Sequence, residues 1–539
     1  MSSEHREDVG LFTWLRDVAA HDPAREILIE HVEDRFVTTA AGDLFDAASR
    51  VANGLSRLGL STGDSIALWL PNRAEWFVTE FACAALGVTI LGLNTRFKSH
   101  EVSHLFRTVD VAAVVLPDSF LGIDFVATLS SAIADIRETD PHFDAPRLVV
   151  AGAVADSHFT IDPSAVAMSD LAIAEPLQRF DDHGLILSNL FTTSGSTSAP
   201  KVAGHDQASI VRHAKAGARA LGVRPGDRIL AALPMCGVFG FSSVMALLVG
   251  GGAAVLMSSF DAAEAARLLK AANVTHVVGG DEMLGAAFSA VADDDDLPSL
   301  RRGGIANFAG HARDVVESAD QRWGAKISGV YGSSELFALS AIWPAEADID
   351  RRVLGGGVTV DPGIEVRIAD LETGEPVADG QPGELQFRGY NTITAYLNNP
   401  AATQKSFTSD GWFRTGDLGY FDAGGFVYQC RAREALRLRG FLVEPGEIEE
   451  YFSAQPGVEE VHVVGIDTDD GTKAVAFIQM RDDATFDETT LLASAKRELA
   501  NYKVPTRAVR VEEFPTTTGT NGTKVRFEEL REVGRSLLA

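Results

Sequence analysis

Residues 64–93 of the chain read DSIALWL, then PN, then RAEWFVTEFACAAL, and finally a glycine followed by VTILGL. DSIALWL has the length and the apolar character of a buried strand, and the segment after it places apolar residues at helical spacing up to Gly87. VTILGL is a second short apolar strand. A strand, a helix and a strand of these lengths are typical of a parallel sheet with helices on its faces.

The same alternation continues along the chain. A helical pattern from Ser99 to Val109 precedes the strand-like VAAVVL at 111–116. A second series begins near Asp227, where RILAAL, AAVLM and THVVGG are separated by the helix-like GFSSVMALLVGG and DAAEAARLLKAANV. The two series predict an α/β fold with two doubly wound β-α subdomains.

The texture of the sequence changes after residue 350. Short β-rich pieces with turn signals predict a small antiparallel subdomain up to residue 430. An apparent hairpin (VEEVHVVGI and KAVAFIQM), a helix from about Glu488 and a strand at 507–511 then predict a compact α+β unit. We therefore expect a large N-terminal domain, 1–432, and a small C-terminal domain, 433–539.

Composition and charge exclude several classes of protein. The 539 residues include 47 Lys and Arg against 75 Asp and Glu, a formal net charge of −28, so nucleic acid and anionic membranes are poor general partners. Cys83, Cys236 and Cys430 are too far apart for a disulfide framework or a zinc cluster, which favours a cytoplasmic protein. No secretory signal is visible in the polar start of the sequence.

Two further stretches have a bland interpretation. The apolar segment 238–257 contains glycines and serines and is predicted to be a buried helix, turn and strand rather than a transmembrane segment. The acidic run 293–296 is predicted to be a solvated loop rather than a metal site.

Residues 191–205, FTTSGSTSAPKVAGH, carry the strongest functional signal. Seven small or hydroxylated residues precede Pro200 and Lys201. Small side chains let backbone N–H groups approach phosphate oxygens, hydroxyls add donors, and a lysine adds positive charge. Taken alone, the segment is either a phosphate-binding loop or a flexible Ser/Thr linker, and it lacks the usual P-loop pattern.

Four later motifs decide between these interpretations: YGSSE at 331–335, GWFRTGDLG at 411–419, CRAREALRLRGFLVEPGEIE at 430–449 and FPTTTGTNGTKVRFEELR at 514–531. Together with residues 191–205 they resemble the adenylate-forming superfamily, which includes acyl-CoA synthetases, firefly luciferase and nonribosomal peptide adenylation domains. The likeness is greatest to an acyl-CoA synthetase. By motif it spans about residues 190 to 531, and the earlier β-α series suits the fold of that family.

The resemblance implies roles for individual residues. Those that would bind ATP or AMP are Thr193, Ser194, Gly195, Ser196, Thr197, Lys201, Tyr331, Gly332, Ser334, Asp417 and Arg431. Within this set the 193–201 segment would follow the β and γ phosphates, Tyr331 would stack on adenine, and Asp417 would bind the ribose hydroxyls. Glu335 would hold Mg²⁺, a hard ion that prefers carboxylate and phosphate oxygens.

The resemblance also assigns roles in the C-terminal region. Lys524, in a Gly/Thr/Asn loop, would be the catalytic lysine that stabilises charge on the α-phosphate, with Glu335 and Thr193 completing the catalytic set. The small domain would rotate between two poses about a hinge at Glu434. In the second pose the tunnel for coenzyme A would be lined by Arg439, Gly440 and Phe441.

Two segments depart from the family pattern around the acid. LPMCGVFGF at 233–241 has Cys236 and Gly237 where relatives have an aromatic residue and a histidine, and NFAGHA at 307–312 lacks a proline. The acid pocket is therefore predicted to include Cys236, Gly237, Phe239, Gly310 and His311. Loss of bulky groups predicts a bulky lipophilic acid, whereas His311 is either a contact to the acid or nucleotide or only a packed or surface side chain.

The predicted activity is an ATP-dependent, Mg²⁺-dependent acid–thiol ligation through an acyl-AMP intermediate, with a carboxylic acid, ATP and coenzyme A as substrates. Two alternatives stay open: a variant that only converts supplied acyl-AMP into the CoA thioester, and an acyl-AMP ligase that loads a carrier protein. From another class, a nucleotide-binding regulatory protein without turnover is disfavoured by the retained Lys524.

Overall fold

The structure is a computed structural model that describes residues 9–152, 165–193, 200–292, 296–432, 435–438, 441–443, 445–468, 471–481, 484–519 and 522–538. The chain forms two compact units. The first contains Met1–Glu365 and Phe387–Phe413, and the second contains Val366–Gln386 and Arg414–Ala539.

A seven-stranded sheet lies in the first unit. Its strands are, in spatial order, β7 (Val166–Ala167), β6 (Arg147–Ala151), β5 (Val111–Pro117), β3 (Ser65–Leu68), β4 (Thr89–Gly92), β8 (Leu187–Thr192) and β9 (Val202–Asp206). All neighbouring pairs are parallel except β8 and β9, which are antiparallel. The strand order β5-β3-β4 confirms the β-α series predicted from residues 64–116.

A second run of strands in the first unit contains β16 (Gly356–Thr359), β15 (Ala341–Ile342), β14 (Lys326–Tyr331), β13 (Arg302–Ala306), β12 (His276–Gly280), β10 (Arg228–Ala231), β11 (Ala253–Leu256), β1 (Glu26–Val32) and β2 (Arg35–Ala40). The strands from β14 to β1 are parallel to their neighbours. The pairs β1/β2, β14/β15 and β15/β16 are antiparallel. The second predicted β-α series is thereby confirmed.

The helices of the first unit are α1 (Leu11–His21), α2 (Ala41–Arg57), α3 (Ala74–Leu86), α4 (Ser99–Thr108), α5 (Phe125–Thr139), α6 (Met168–Leu171), α7 (Gln207–Ala220), α8 (Val238–Val249), α9 (Ala262–Ala271), α10 (Asp281–Ser289), α11 (Ala312–Trp323), α12 (Ile349–Arg352) and α13 (Pro400–Ser406). Helix α8 is apolar on all sides and buried from Val238 to Leu248, as expected for a core helix. Its Phe241 packs 5.6 Å from Trp76 of α3.

The apolar segment 238–257 therefore forms helix α8, a glycine turn and strand β11, as predicted. Among the described residues, no helix combines the length and the apolar character needed to cross a membrane. Residues 293–295 of the acidic run lie outside the described residues.

The second unit contains residues 366–369 of β17 (Ile364–Ala369), residues 383–386 of β18 (Gly383–Gly389), residues 414–422 of β19 (Phe413–Asp422) and the whole of β20 (Gly425–Arg431), hydrogen-bonded in that order. It continues with β21 (Leu436–Leu438), β22 (Phe441–Val443), α14 (Pro445–Ser453), β23 (Val458–Thr468), β24 (Gly471–Met480), α15 (Glu488–Glu498), β25 (Arg507–Val511), β26 (Thr516–Gly519), β27 (Gly522–Val525) and α16 (Phe527–Leu538). Strands β23 and β24 form the predicted antiparallel hairpin, and β25 adds to β24 in parallel.

One prediction in this unit is wrong. Lys524 was expected in a loop rich in Gly, Thr and Asn, but it lies in strand β27, which pairs with β26 in antiparallel register. Threonine has a high strand propensity, so the three threonines of β26 favour a ladder where the glycines suggested only turns. The backbone of Lys524 is thus fixed by pairing with Thr517.

Candidate functional site

The phosphate-loop segment leaves the sheet between β8 and β9. Thr193 directly follows β8, and its backbone N–H donates to the carbonyl of Lys201 at 2.9 Å, which closes the base of the loop. The Thr193 Oγ1 atom is buried and has no hydrogen-bond partner among the residues that the structure describes. Buried hydroxyls are normally satisfied, so this one is suited to a ligand oxygen. Ser194, Gly195, Ser196 and Thr197 lie outside the described residues.

The YGSSE motif contacts the same end of β8. Ser334 Oγ donates to the carbonyl of Thr192 at 3.3 Å, across 142 positions of sequence. The carbonyl of Ser334 accepts a hydrogen bond from Nε2 of His205, on β9, at 2.7 Å. Two motifs that the sequence separates therefore meet at one place in the first unit.

Tyr396 joins the predicted phosphate lysine to the predicted metal-binding carboxylate. Its hydroxyl donates to Glu335 Oε1 at 2.7 Å, and its ring lies under Lys201, with Nζ 4.1 Å from the ring centroid. The short O–H···O⁻ bond and the cation–π contact are both favourable for a buried aromatic side chain. Tyr396 therefore contacts both the carboxylate of Glu335 and the ammonium group of Lys201.

Backbone hydrogen bonds hold Tyr396 in that position. The amide of Ile393 donates to the carbonyl of Glu335 at 2.9 Å, and the amide of Leu397 donates to the carbonyl of Val202 at 3.0 Å. Sequence reasoning missed Tyr396, and its tyrosine in ITAYLNNP has no local pattern that distinguishes it from a core aromatic residue.

Tyr331 lies at the end of β14 and is buried. Its ring stacks on Phe387 with centroids 5.4 Å apart and planes at 12°. The next residue, Gly332, passes so close to the following turn that a Cβ would lie 2.5 Å from the backbone carbon of Ala338. Glycine is therefore required at 332 by close packing, which is independent of any contact with a nucleotide.

A left-handed turn follows Glu335. Phe337, Ala338 and Leu339 have φ values of +56°, +46° and +33°, which are rare for residues with side chains. The carbonyl of Ala338 is bound by Nε2 of His213 at 3.1 Å. This strained turn fixes the direction in which the chain leaves the YGSSE motif.

Both histidines at this place are uncharged. Burial is the main cause that lowers the pKa of His205 to about 4 and the pKa of His213 to about 4. A neutral imidazole has one N–H donor, and the contacts to carbonyl oxygens place that proton on Nε2 in each ring. His205 and His213 therefore act as neutral hydrogen-bond donors to the backbone around Ser334 and Ala338.

In the second unit, Asp417 and Arg431 face each other across the β19/β20 pair. Asp417 is 4% exposed, and its Oδ1 lies 3.0 Å from Nε of Arg431. Arg431 also donates from Nη1 to the carbonyl of Thr415 at 3.3 Å. Two separate sequence motifs predicted Asp417 and Arg431 for one site, and the structure shows the two side chains in contact.

A neighbouring carboxylate was missed from the sequence. Buried Glu384 accepts from Arg414 Nε at 3.0 Å and from the backbone N–H of Gly416 at 3.3 Å, immediately before Asp417. Gly416 has φ +69°, a value that favours glycine. Glu384 thus supports the turn that presents Asp417.

Several predicted residues carry no side-chain geometry. Glu434, Arg439 and Gly440 lie outside the described residues. Phe441 begins β22 and Lys524 lies in β27, and the description of both is limited to the backbone. The hinge, tunnel and lysine assignments stay predictions.

The predicted acid-pocket residues occupy two loops of the first unit. Cys236 is buried and packs against β4, where a Cβ on Gly92 would lie 3.0 Å from Cys236 Cα. Burial raises the pKa of the Cys236 thiol to about 12, so the side chain is uncharged and does not act as a nucleophile. Gly237 precedes α8, and Phe239 in its first turn is buried.

Gly310 and His311 lie in the second loop, after β13. Gly310 has φ +89°, and His311 has an exposed side chain just before α11. The exposure disfavours His311 as a packed core residue. A small apolar cavity against β10 and β12 is lined by apolar residues that include Leu230, Ala232, Phe260, Val277, Met283 and Phe288; among the described residues, none of those predicted for the acid pocket lines it.

Glu335 is the residue predicted to bind a metal ion. Within the described residues, no group of three or more His, Cys, Asp or Glu side chains is placed to hold a metal ion by itself. A single carboxylate fits Mg²⁺, which is usually bound by one or two carboxylates together with substrate phosphates. The donor chemistry therefore suits an ion that arrives with a nucleotide.

Comparison with known proteins gives the family. The family described as AMP-binding enzyme matches residues 15–397, and the AMP-binding enzyme C-terminal domain matches residues 447–520. A putative acyl-CoA synthetase, YngI of Bacillus subtilis (strain 168), is 28% identical over 90% of this chain and 91% of its own length.

Two further relatives extend the comparison. A (methyl-dioxo-octahydro-indenyl)propanoyl:CoA ligase of Rhodococcus jostii (strain RHA1) is 28% identical over 89% of this chain and 91% of its own length. The structure of O-succinylbenzoate coenzyme A synthetase (MenE) from Bacillus subtilis, in complex with ATP and a magnesium ion, superposes with a TM-score of 0.77, covering 96% of this chain and 98% of that one at 23% identity.

Proposed function

Because the chain belongs to the family of AMP-binding enzymes, we propose that it is an AMP-forming acid–CoA ligase that activates a carboxylic acid as its acyl-adenylate. The acid displaces pyrophosphate from ATP, and the thiol of coenzyme A then displaces AMP. The observation that carries the proposal is the convergence of Thr193, Lys201 and Glu335 at the end of β8, through Ser334 and Tyr396.

For the first step, these residues provide charge and hydrogen bonds to a triphosphate. Lys201 supplies a cation, and Thr193 Oγ1, which is buried without a partner among the described residues, supplies a donor. Placed donors that need no rearrangement stabilise the charge that develops on phosphoryl oxygens. The protein needs no covalent nucleophile, because the nucleotide itself supplies the leaving group.

Glu335 is the residue proposed to hold Mg²⁺. When bound, that ion neutralises charge on the phosphate oxygens of the nucleotide. Tyr396 donates to one oxygen, Oε1, of the carboxylate, and a carboxylate has a second oxygen with which to bind a ligand. The role proposed for Tyr396 is to orient Glu335 before the nucleotide arrives.

The acid is proposed to be bulky and lipophilic. Cys236 and Phe239 are buried and uncharged and Gly237 has no side chain, so these predicted pocket residues bring no charged group to the acid. The Rhodococcus jostii relative is described as acting on a propanoyl side chain attached to a fused bicyclic ring. An acid of that size and polarity is the kind proposed here.

The second half-reaction is assigned to the C-terminal part of the chain. Lys524 is proposed to serve the adenylation step, and Arg439, Gly440 and Phe441 the coenzyme A tunnel, with the domain boundary after residue 432 and the hinge at Glu434. Cys83, Cys236 and Cys430 are buried and form no disulfide within the described residues, which suits the proposed cytoplasmic location.

The decisive experiment measures AMP and pyrophosphate release with aliphatic, aromatic and polycyclic acids, with and without coenzyme A. The proposal expects acid-dependent ATP–pyrophosphate exchange and a CoA thioester. A chain that forms the thioester only from synthetic acyl-AMP is a thioesterification enzyme instead. Activity with a carrier protein and none with free coenzyme A identifies an acyl-AMP ligase, and no turnover with any acid refutes the proposal.

A further inference from the structure

Three neighbouring parallel strands of the first unit end at the same edge of the sheet. Gly280 at the end of β12 pairs with Ala306 at the end of β13, and β13 pairs in turn with β14, which ends at Tyr331. Ligands of open α/β sheets bind beyond the carboxyl ends of the strands. Residues 281, 307–311 and 331–335 therefore leave the sheet side by side.

A buried carboxylate lies at the centre of this edge. Asp281 is the first residue of α10 and is 0% exposed. Its Oδ1 accepts from the amide of Phe308 at 3.0 Å, its Oδ2 accepts from the amide of His311 at 2.8 Å, and the amide of Ala309 lies between the two oxygens at 3.3 and 3.1 Å. A negative charge is also favourable at a helix N-terminus.

The loop that Asp281 binds also has contacts of its own. Asn307 Oδ1 accepts the amide of Ala312 at 3.3 Å, and Gly310 has φ +89°. Phe308 is 44% exposed, and its ring rests on Gly280, where a Cβ would meet the ring at 3.0 Å. The one carboxylate thus binds three of the four amides of residues 308–311.

We propose that Asp281 is a positioning residue that sets the shape of loop 308–311 and thereby the acid specificity of the enzyme. This inference rests on the proposed function, because it takes Gly310 and His311 as part of the acid pocket. Asp281 acts through the loop backbone and does not touch the acid. Gly280 contributes by leaving room for the Phe308 ring.

The direct test is Asp281→Asn. Asparagine keeps the size of the side chain but has one acceptor oxygen, so its amide NH₂ opposes at least one loop N–H. We expect faster amide hydrogen exchange at residues 308–311 and a change of about tenfold or more in the ratio of kcat/KM between a small and a bulky acid, the size of effect typical for loss of a charge-assisted hydrogen bond. Suitable probes are acetate, octanoate, benzoate and cholate.

Two companion variants make the outcome decisive. Glu282→Gln changes the exposed neighbouring carboxylate and is expected to leave both loop exchange and the acid ratio unchanged. Gly280→Ala pushes on Phe308 without altering the carboxylate and is expected to change the acid ratio as well; it also serves if Asp281→Asn does not fold.

The results separate the inference from the proposed function. If the unmodified enzyme adenylates none of the acids, the proposed function fails. If it does, but Asp281→Asn and Gly280→Ala keep its acid ratio while losing rate uniformly, or keep loop exchange unchanged, Asp281 is only structural and the inference is overturned.

Discussion

Replacing Tyr396 with phenylalanine removes one hydroxyl from the site and leaves the aromatic ring beneath Lys201. The side chain is 3% exposed, and the hydroxyl lies 2.7 Å from Glu335 Oε1. A hydrogen bond to a charged group contributes about 1.5–3 kcal/mol. If Tyr396 orients Glu335 for magnesium-bound ATP, kcat/KM for that substrate should fall about ten- to a hundredfold.

The assay is ATP–pyrophosphate exchange at a saturating concentration of acid, measured over a range of Mg²⁺ concentrations. Tyr396→Phe should need more Mg²⁺ for half-maximal exchange, because the freed carboxylate samples other orientations. Tyr390→Phe is the matched control: its hydroxyl lies 3.5 Å from His213 Nδ1, so it should keep the Mg²⁺ dependence of the unmodified enzyme.

Thermal unfolding distinguishes a positioning role from a loss of stability. A variant that melts normally and has the altered Mg²⁺ dependence supports the assignment. Tyr396→Leu also removes the cation–π contact and should raise the KM for ATP further. An unchanged Mg²⁺ dependence in a well-folded Tyr396→Phe enzyme would refute the reasoning.

Three other predictions concern charge. The pKa of His205 is about 4 in the folded chain, against an ordinary value of 6.5, so between these pH values the unfolded chain binds one more proton. The free energy of unfolding should therefore fall as the pH falls from 6.5 to 4. His205→Gln should lose part of that pH dependence in urea unfolding. Burial lowers the pKa of His462, but Glu449 and Glu460 outweigh it and raise the pKa to about 9. The contribution of protonated His462 to stability is therefore complete below pH 6.5 and is lost as the pH rises through 9. His462→Gln should remove that alkaline decline in the same unfolding measurement. Lys524→Ala should slow acid-dependent pyrophosphate exchange about 10²- to 10³-fold while it leaves thioester formation from synthetic acyl-AMP largely intact, and equal losses in both half-reactions would contradict the assigned role.

The regular part of the fold could be predicted because its signals are local. The segments around Ser65–Leu68 and Ala74–Leu86 differ in hydrophobic period, and in the folded chain the first is a strand and the second is a helix. Pairing of Lys524 with Thr517 was not predicted, because a hairpin rich in Gly and Thr satisfies turn and strand preferences equally well.

Site residues that belong to a sequence motif were predicted, whereas residues whose role depends on tertiary contacts were missed. Asp417 and Arg431 are recognisable from their neighbours in sequence. Tyr396 and Asp281 are not, because each gains its role from contacts with residues far along the chain: 61 positions separate Tyr396 from Glu335, and 30 separate Asp281 from His311. A single sequence without alignment contains no trace of such pairs.

The turn after Glu335 shows why these hidden contacts concentrate at the site. Left-handed backbone costs about 1–3 kcal/mol for each residue with a side chain, so Phe337, Ala338 and Leu339 oppose the local preference of the chain. Neutral His213, which donates to the carbonyl of Ala338, and buried Asn391, which donates to the carbonyl of Leu336 at 2.8 Å, offset that cost with hydrogen bonds from distant segments. The backbone that positions Glu335 therefore depends on hydrogen bonds from distant segments of the chain. The same long-range hydrogen bonds explain why local sequence patterns do not predict this turn.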